Sequence, residues 1–164
     1  MPPLPIVDPA TLDPTRVIRT KDQIYQHLPQ RYEFAQLDGI IHMDPAVGTA
    51  AGIREIRADE WWCRGHMPGR PLFPGVLMME CAAQLAAFVQ HEFAPIMEQG
   101  TFMGFGGVDR CKFRGGVVPP ARIILVGRMV EARTRRFVCD VQSYVEGTMV
   151  FEALITGMPL KMEA

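Results

Sequence analysis

The longest apolar stretch of the chain runs from residue 76 to residue 89, VLMMECAAQLAAFV, and only Glu80 and Gln84 interrupt it. A helix that is apolar or small on every side is buried rather than laid on a surface, so the pattern predicts a central helix over about 76–92, stopped before Pro95. The stretch is shorter than the roughly 20 residues needed to cross a bilayer. Ahead of it, Thr20 and Gln23 have the spacing of a capping box, which predicts a short helix over 21–27, ended by Pro29. Two strand-like runs follow, 34–43 and 49–57, separated by the turn residues Asp44, Pro45 and Gly48. Beyond residue 101 the chain offers only strand-like runs: 101–113, whose glycines suggest a bend or bulge, then 122–130, 136–145 and 148–156. Glu146-Gly147 is a tight hairpin turn between the last two. Helix, two strands, long helix and four strands imply an α+β fold, with an antiparallel β-sheet wrapped around a long central helix.

Composition refines this picture at three points. A length of 164 residues, 48% hydrophobic and 21% charged, fits a single globular domain able to bury a core. Five of the 14 prolines fall within the first 14 residues, where Pro2, Pro3, Pro5, Pro9 and Pro14 prevent a regular helix or a central strand. Residues 1–17 therefore read as an extended arm, mobile or laid along a neighbour, and 18–164 as the domain itself. Seventeen basic side chains against 18 acidic ones give a net charge of −1, without the basic excess of a nucleic-acid binder.

The four cysteines, Cys63, Cys81, Cys111 and Cys139, form no CxxC pair. Neither a zinc ribbon nor a dithiol site is expected, and the C-x2-H spacing of Cys63 and His66 lacks a second ligand pair. No metal or cofactor is expected. The start, MPPLPIVDPA, has neither the positive n-region nor the apolar h-region of a signal peptide. The expectation is a cytoplasmic protein with reduced thiols and no membrane span.

Glu80 is the most informative residue, because a carboxylate in a helix without a polar face must be partnered, protonated or functional. Desolvation favours its protonated form, which suits a general acid; the alternative is a helix or dimer contact. Gln84, one turn further on the same face, can orient it. His66 stands just ahead of MPGRPLFPG, a segment rich in proline and glycine that feeds the helix. Alone it reads as a structural histidine; beside a buried carboxylate it becomes half of an acid–base couple. Gly75 opens the helix, where free N–H groups and the helix dipole can polarise a carbonyl, and its lack of a side chain lets a substrate approach.

Weaker signals remain. Arg110, Lys112 and Arg114 alternate along one strand and share a face, which suits either an acidic partner surface or phosphate group, or plain solvent. Arg133, Arg135 and Arg136 mark a solvated hairpin tip. Trp61 and Trp62 can cap an apolar tunnel or fill the core, and Met78, Met79 and Met103 can line a pliable pocket or do the same.

The run GHMPGRPLFPGVLMMECAAQ closely resembles the signature of the (3R)-hydroxyacyl-acyl carrier protein dehydratases of fatty-acid synthesis, proteins of the hot-dog fold. HLPQRYEFAQLDGI at 27–40 and GVDRCKFRGGVVPP at 107–120 resemble two further segments of that family, so the likeness extends from about residue 21 to the last strand. It implies that His66 is the catalytic histidine, that Glu80 is the catalytic acid, that the Gly75 N–H binds the thioester carbonyl, and that Gln84 is the glutamine four positions after the acid. Glu80, where an Asp would resemble the branch that also isomerises the double bond, implies a plain dehydratase.

The partners implied are an acyl carrier protein bearing a phosphopantetheine-linked substrate and a second copy of the chain. In such a homodimer the histidine and the acid of one site come from different subunits; a trimer of dimers is left open. The sequence departs from the family pattern at Met67 for Phe, at Gln30 and Glu33 for His and Pro, and at Pro120-Ala121 for Gly-Asp. Two other hot-dog functions compete: a thioesterase, and a noncatalytic subunit that binds acyl chains or acyl carrier protein.

Overall fold

The computed structural model of the protein describes residues 3–94 and 100–161. Pro2 of the arm and Pro95, the expected helix stop, lie outside the described residues. The elements in chain order are β1 (Arg19–Thr20), α1 (Lys21–Tyr25), β2 (Gly39–Asp44), β3 (Thr49–Ile56), α2 (Gly75–Phe93), β4 (Thr101–Phe113), β5 (Ala121–Arg133), β6 (Arg136–Val145) and β7 (Thr148–Lys161). Among the described residues the strands form one antiparallel sheet in the order β1-β2-β3-β5-β6-β7-β4.

Helix α2 lies on one face of this sheet, as the apolar run predicts. Leu77, Cys81, Ala82, Leu85, Ala86, Phe88 and Val89 of α2 are buried in one cluster with Ile123 and Leu125 of β5, Val141 of β6 and Phe151 and Ile155 of β7. Gly52 and Gly127 sit where the helix crosses β3 and β5: a Cβ at Gly127 would stand 3.3 Å from Leu85 Cδ2, so the missing side chains let helix and sheet approach. Among the described residues no helix is long and apolar enough to cross a membrane.

The opposite face of the sheet is covered by the arm. Leu12, with Ile6 and Val7, packs on a second buried cluster of Ile41, Ala51, Ile53, Val126 and Tyr144. Gln142 anchors the chain there, its Oε1 accepting from the Ile6 N–H at 2.8 Å and its amide donating to the Leu4 carbonyl at 3.0 Å. The prolines keep the arm out of the hydrogen-bonded ladder while its few apolar side chains cover the sheet.

Several boundaries differ from the sequence reading: β5 and β7 run on to Arg133 and Lys161, past the expected ends at 130 and 156. The strand expected from residue 34 begins at Gly39, and residues 32–34 form a 3-10 turn. Much of the backbone of 34–37 is satisfied off the sheet: Gln84 takes the Phe34 carbonyl and the Gln36 N–H, and the Tyr25 hydroxyl takes the Leu37 N–H. The Phe34 and Ala35 N–H groups bond the Arg31 and Tyr32 carbonyls, while the Asp38 N–H reaches the Ile53 carbonyl of β3. Helix α1 stops at Tyr25, and His27 lies in the turn after it, its N–H on the Ile24 carbonyl. The glycine-rich strand does bend as expected: β4 is irregular between Phe105 and Gly107 and again between Asp109 and Lys112.

Candidate active site

The loop between β3 and α2 carries His66. Its backbone N–H donates to the Trp62 carbonyl at 2.8 Å, and the chain then turns through Met67 and Gly69, both at positive φ. Phe73 returns it to the body of the protein through a 2.8 Å bond to the Val117 carbonyl. His66 Nδ1 lies 2.7 Å from the Leu72 carbonyl. A carbonyl only accepts, so Nδ1 carries the proton, and in the neutral ring Nε2 is left as the basic nitrogen. The half-buried imidazole lines a pocket with Trp61, Trp62, Arg64, Pro74, Val76 and Leu77. Trp62 is core, edge-on to Phe73 at 5.5 Å, whereas Trp61 is exposed at the pocket's rim.

Glu80 lies half-buried on α2, five residues after Gly75. Its Oε1 accepts from Gln84 Nε2 at 2.6 Å. Gln84 is itself fully enclosed: the same amide nitrogen reaches the Phe34 carbonyl at 2.6 Å, while its Oε1 accepts from the Gln36 N–H at 3.0 Å and from the Tyr25 hydroxyl. The glutamine is thereby fixed with its donor end toward Glu80. Burial holds the Tyr25 hydroxyl far above the ordinary tyrosine range, so it stays a donor. Glu80 lines a different pocket from His66, with Gln30, Ala83 and Ala87, with Met103, Gly104 and Phe105 of β4, and with Thr156 and Gly157 of β7. Of the three methionines singled out, Met103 faces this pocket and Met78 is core.

Gly75 is the first residue of α2, with Pro74 as its N-cap. Leu77 and Met78 donate back to the Pro74 carbonyl at 3.0 Å, whereas the N–H groups of Gly75 and Val76 precede the helical ladder. A Cβ at position 75 would stand 2.9 Å from the Phe113 ring, so only glycine keeps this helix end clear beside that ring.

Sequence reasoning missed a polar cluster that connects the two halves. Arg54 on β3 is buried; its Nε donates to Gln36 Oε1 at 3.2 Å, and its guanidinium pairs with Asp38 at 3.4 Å and with Glu60. Burial opposes the charge of Arg54, but Asp38 and Glu60 outweigh it and hold the group firmly protonated. Glu60 also accepts from the Trp62 indole N–H at 3.2 Å and from the Arg57 N–H at 2.9 Å. A continuous chain thus runs from Glu80 through Gln84, Gln36, Arg54 and Glu60 to the loop that carries His66. The one signal for Arg54 in the sequence is a charged residue amid the apolar and small positions of a strand.

Arg110, Lys112 and Arg114 do share one cleft, although the bulge interrupts their alternation and leaves Arg110 at positive φ. That cleft holds neither His66 nor Glu80, and its acids, Asp140 and Glu152, pair with Arg128 and Arg114. Arg133 and Arg136 flank the β5–β6 turn and pair with Glu131. All four cysteines are free thiols, Cys81 and Cys139 fully buried; burial pushes Cys81 up to about 12.

Comparison with known proteins agrees with this architecture. The FabA-like domain family matches residues 28–154. The 3-hydroxyacyl-acyl-carrier-protein dehydratase FabZ of Lawsonia intracellularis is 32% identical over 136 residues, 82% of this chain and 88% of that protein. In fold, the dehydratase heterocomplex ApeI:P of Xenorhabdus doucetiae matches with a TM-score of 0.69 at 10% identity, over 84% of this chain and 91% of that one. A hypothetical thioesterase of Streptococcus pneumoniae, solved with coenzyme A, matches with a TM-score of 0.55 at 12% identity, over 76% and 87%. These structural likenesses establish the hot-dog fold, a sheet wrapped around one long helix. The family match and the FabZ relative establish the rest: the chain belongs to the FabA-like family and is a FabZ-type hydro-lyase.

Proposed function

We propose that the protein dehydrates (3R)-3-hydroxyacyl thioesters carried on acyl carrier protein to trans-2-enoyl thioesters, in the cytoplasm and for fatty-acid synthesis, by acid–base catalysis between His66 and Glu80. The observation that carries this reading is the complementary preparation of the two side chains. Leu72 fixes the Nδ1–H tautomer of His66 and leaves Nε2 basic; Gln84 occupies Glu80 Oε1 and leaves Oε2 for the acid proton.

In the reaction His66 Nε2 takes the proton from C2, and the electron pair moves toward the thioester carbonyl, whose oxygen accepts from the Gly75 N–H. The C2=C3 double bond then forms as the C3–O bond breaks, and Glu80 Oε2 protonates the leaving hydroxyl to give water. Return of the proton from His66 to Glu80 through solvent completes the cycle.

The site is assembled from two copies of the chain, since His66 and Glu80 line separate pockets within one. Strand β4 supports this arrangement: it ends the strand order, it carries exposed Phe105, and its Met103, Gly104 and Phe105 wall the Glu80 pocket. A second copy along that edge satisfies its outer main chain and brings a partner's loop to Glu80. The cleft of Arg110 and Lys112 on β4 and of Arg114 just past its end, beside the Phe113 that covers Gly75, is the basic surface offered to the carrier protein.

Incubation with a 3-hydroxyacyl thioester, followed by enoyl absorbance and free thiol together, tests the reading. Enoyl product without thiol is expected, with at least a hundredfold loss in both H66A and E80Q. Thiol release would mean a thioesterase, and neither signal a binding subunit; wild-type rates in either variant would remove that residue from the mechanism.

A further inference from the structure

The C-terminal turn of α2 carries His91 and Glu92, and the turn after α1 carries His27. The imidazoles of His27 and His91 stack with centroids 4.0 Å apart and planes 24° apart. Half of the chain's four histidines therefore meet at a point the elimination does not use. Glu92 completes a group in which one donor atom from each residue lies within 4.8 Å of the others. The carboxylate is weakly held, its Oε2 standing 3.9 Å from Arg19 Nη2, beyond hydrogen-bond length. His91 and Glu92 are half-buried and His27 is exposed, so the group is open to solvent on one side.

We propose that His27, His91 and Glu92 bind a divalent transition-metal ion, zinc being the best match, that ties the turn after α1 to the end of α2. Two imidazole nitrogens and a carboxylate oxygen form a borderline donor set suited to zinc, cobalt, nickel or copper rather than to calcium or magnesium. Bonds of about 2.0–2.1 Å place tetrahedral donors about 3.3 Å apart, so the three side chains draw together on binding and water completes the shell. The exposed His27 and the loosely paired Glu92 have the freedom to do so.

The ion would lie eleven residues along α2 from Glu80, about 16 Å at the helical rise, so its role is structural rather than catalytic. It would still act on the site. Tyr25, two residues before His27, donates to Gln84, and Gln84 holds Glu80. A metal clamp on His27 therefore braces the contact that orients the acid.

Titration of the chelator-stripped full-length protein with zinc alone, in competition with a chromogenic chelator, tests the site. One equivalent per chain is expected, with at least tenfold weaker binding in H27A and in H91A and unchanged binding in H42A. Absence of saturable binding, or undiminished binding in H91A, would overturn the proposal. Copper(II) added to the wild-type protein gives a readout independent of variant folding. Broadening of the ring-proton resonances of His27 and His91 ahead of those of His42 and His66 supports the site, and uniform broadening or broadening centred on His66 contradicts it.

Discussion

Gln84 uses both ends of its amide on the site, and its orientation rests on Tyr25 and on backbone groups rather than on Glu80 itself. The Tyr25 hydroxyl also accepts from the buried Leu37 N–H at 2.8 Å. Tyr25→Phe leaves that N–H without an acceptor and should cost about 1–3 kcal/mol in urea unfolding. The pH dependence has a definite sign. Burial raises the folded-state pKa of Tyr25 above its unfolded value of about 10, so this contribution is present below that pH and is lost as pH rises above it. Wild-type stability should fall between about pH 9 and pH 11, and Y25F should fall less steeply; Tyr144, pushed up to about 12 by burial, maintains a residual slope. Equal slopes would show that Tyr25 is not the titrating group. Of the candidate site residues, Glu80, Gln84, His66 and Gly75 stand out in the sequence because they lie in one continuous motif. Tyr25, Gln36, Arg54 and Glu60 do not, since nothing in local spacing distinguishes a buried partner at long range from an ordinary polar residue.

Among the elements, the long helix and the four strands after it were legible because their apolar runs are long and their turn residues explicit. Residues 34–38 differ from the expected strand for an identifiable reason: side chains of α1 and α2 take the Phe34 carbonyl and the Gln36 and Leu37 N–H groups that a strand would pair. Local pattern cannot reveal a ladder replaced by distant side chains. The Arg54 cluster is the corresponding device between β3 and the loop that carries His66. Arg54→Met removes the cation from two carboxylates, of which Glu60 is almost wholly buried, and should destabilise the protein by about 3 kcal/mol. The same substitution frees the Glu60–Trp62 end of the loop, so kcat should fall more than the KM of the thioester rises. A variant as stable and as active as wild type would show that the cluster is dispensable.

For the molecule as a whole, the proline-rich arm that composition marked as mobile or laid on a neighbour is laid on the protein's own sheet, where Leu12 and the Gln142 contacts hold it. That destination follows from the sheet's uncovered outer face and could not be read from the arm's own residues. The other whole-molecule feature is the separation of His66 and Glu80 into two pockets, which supports the proposal that a site is shared between two copies. Mixing inactive H66A with inactive E80Q, under conditions that exchange subunits, tests this most directly. Half of the mixed dimers pair the two variants, and each such pair contains one site with both groups intact. Enoyl formation should return to about a quarter of the wild-type rate; a mixture that stays at the background of the single variants, despite demonstrated exchange, would contradict a site shared between subunits.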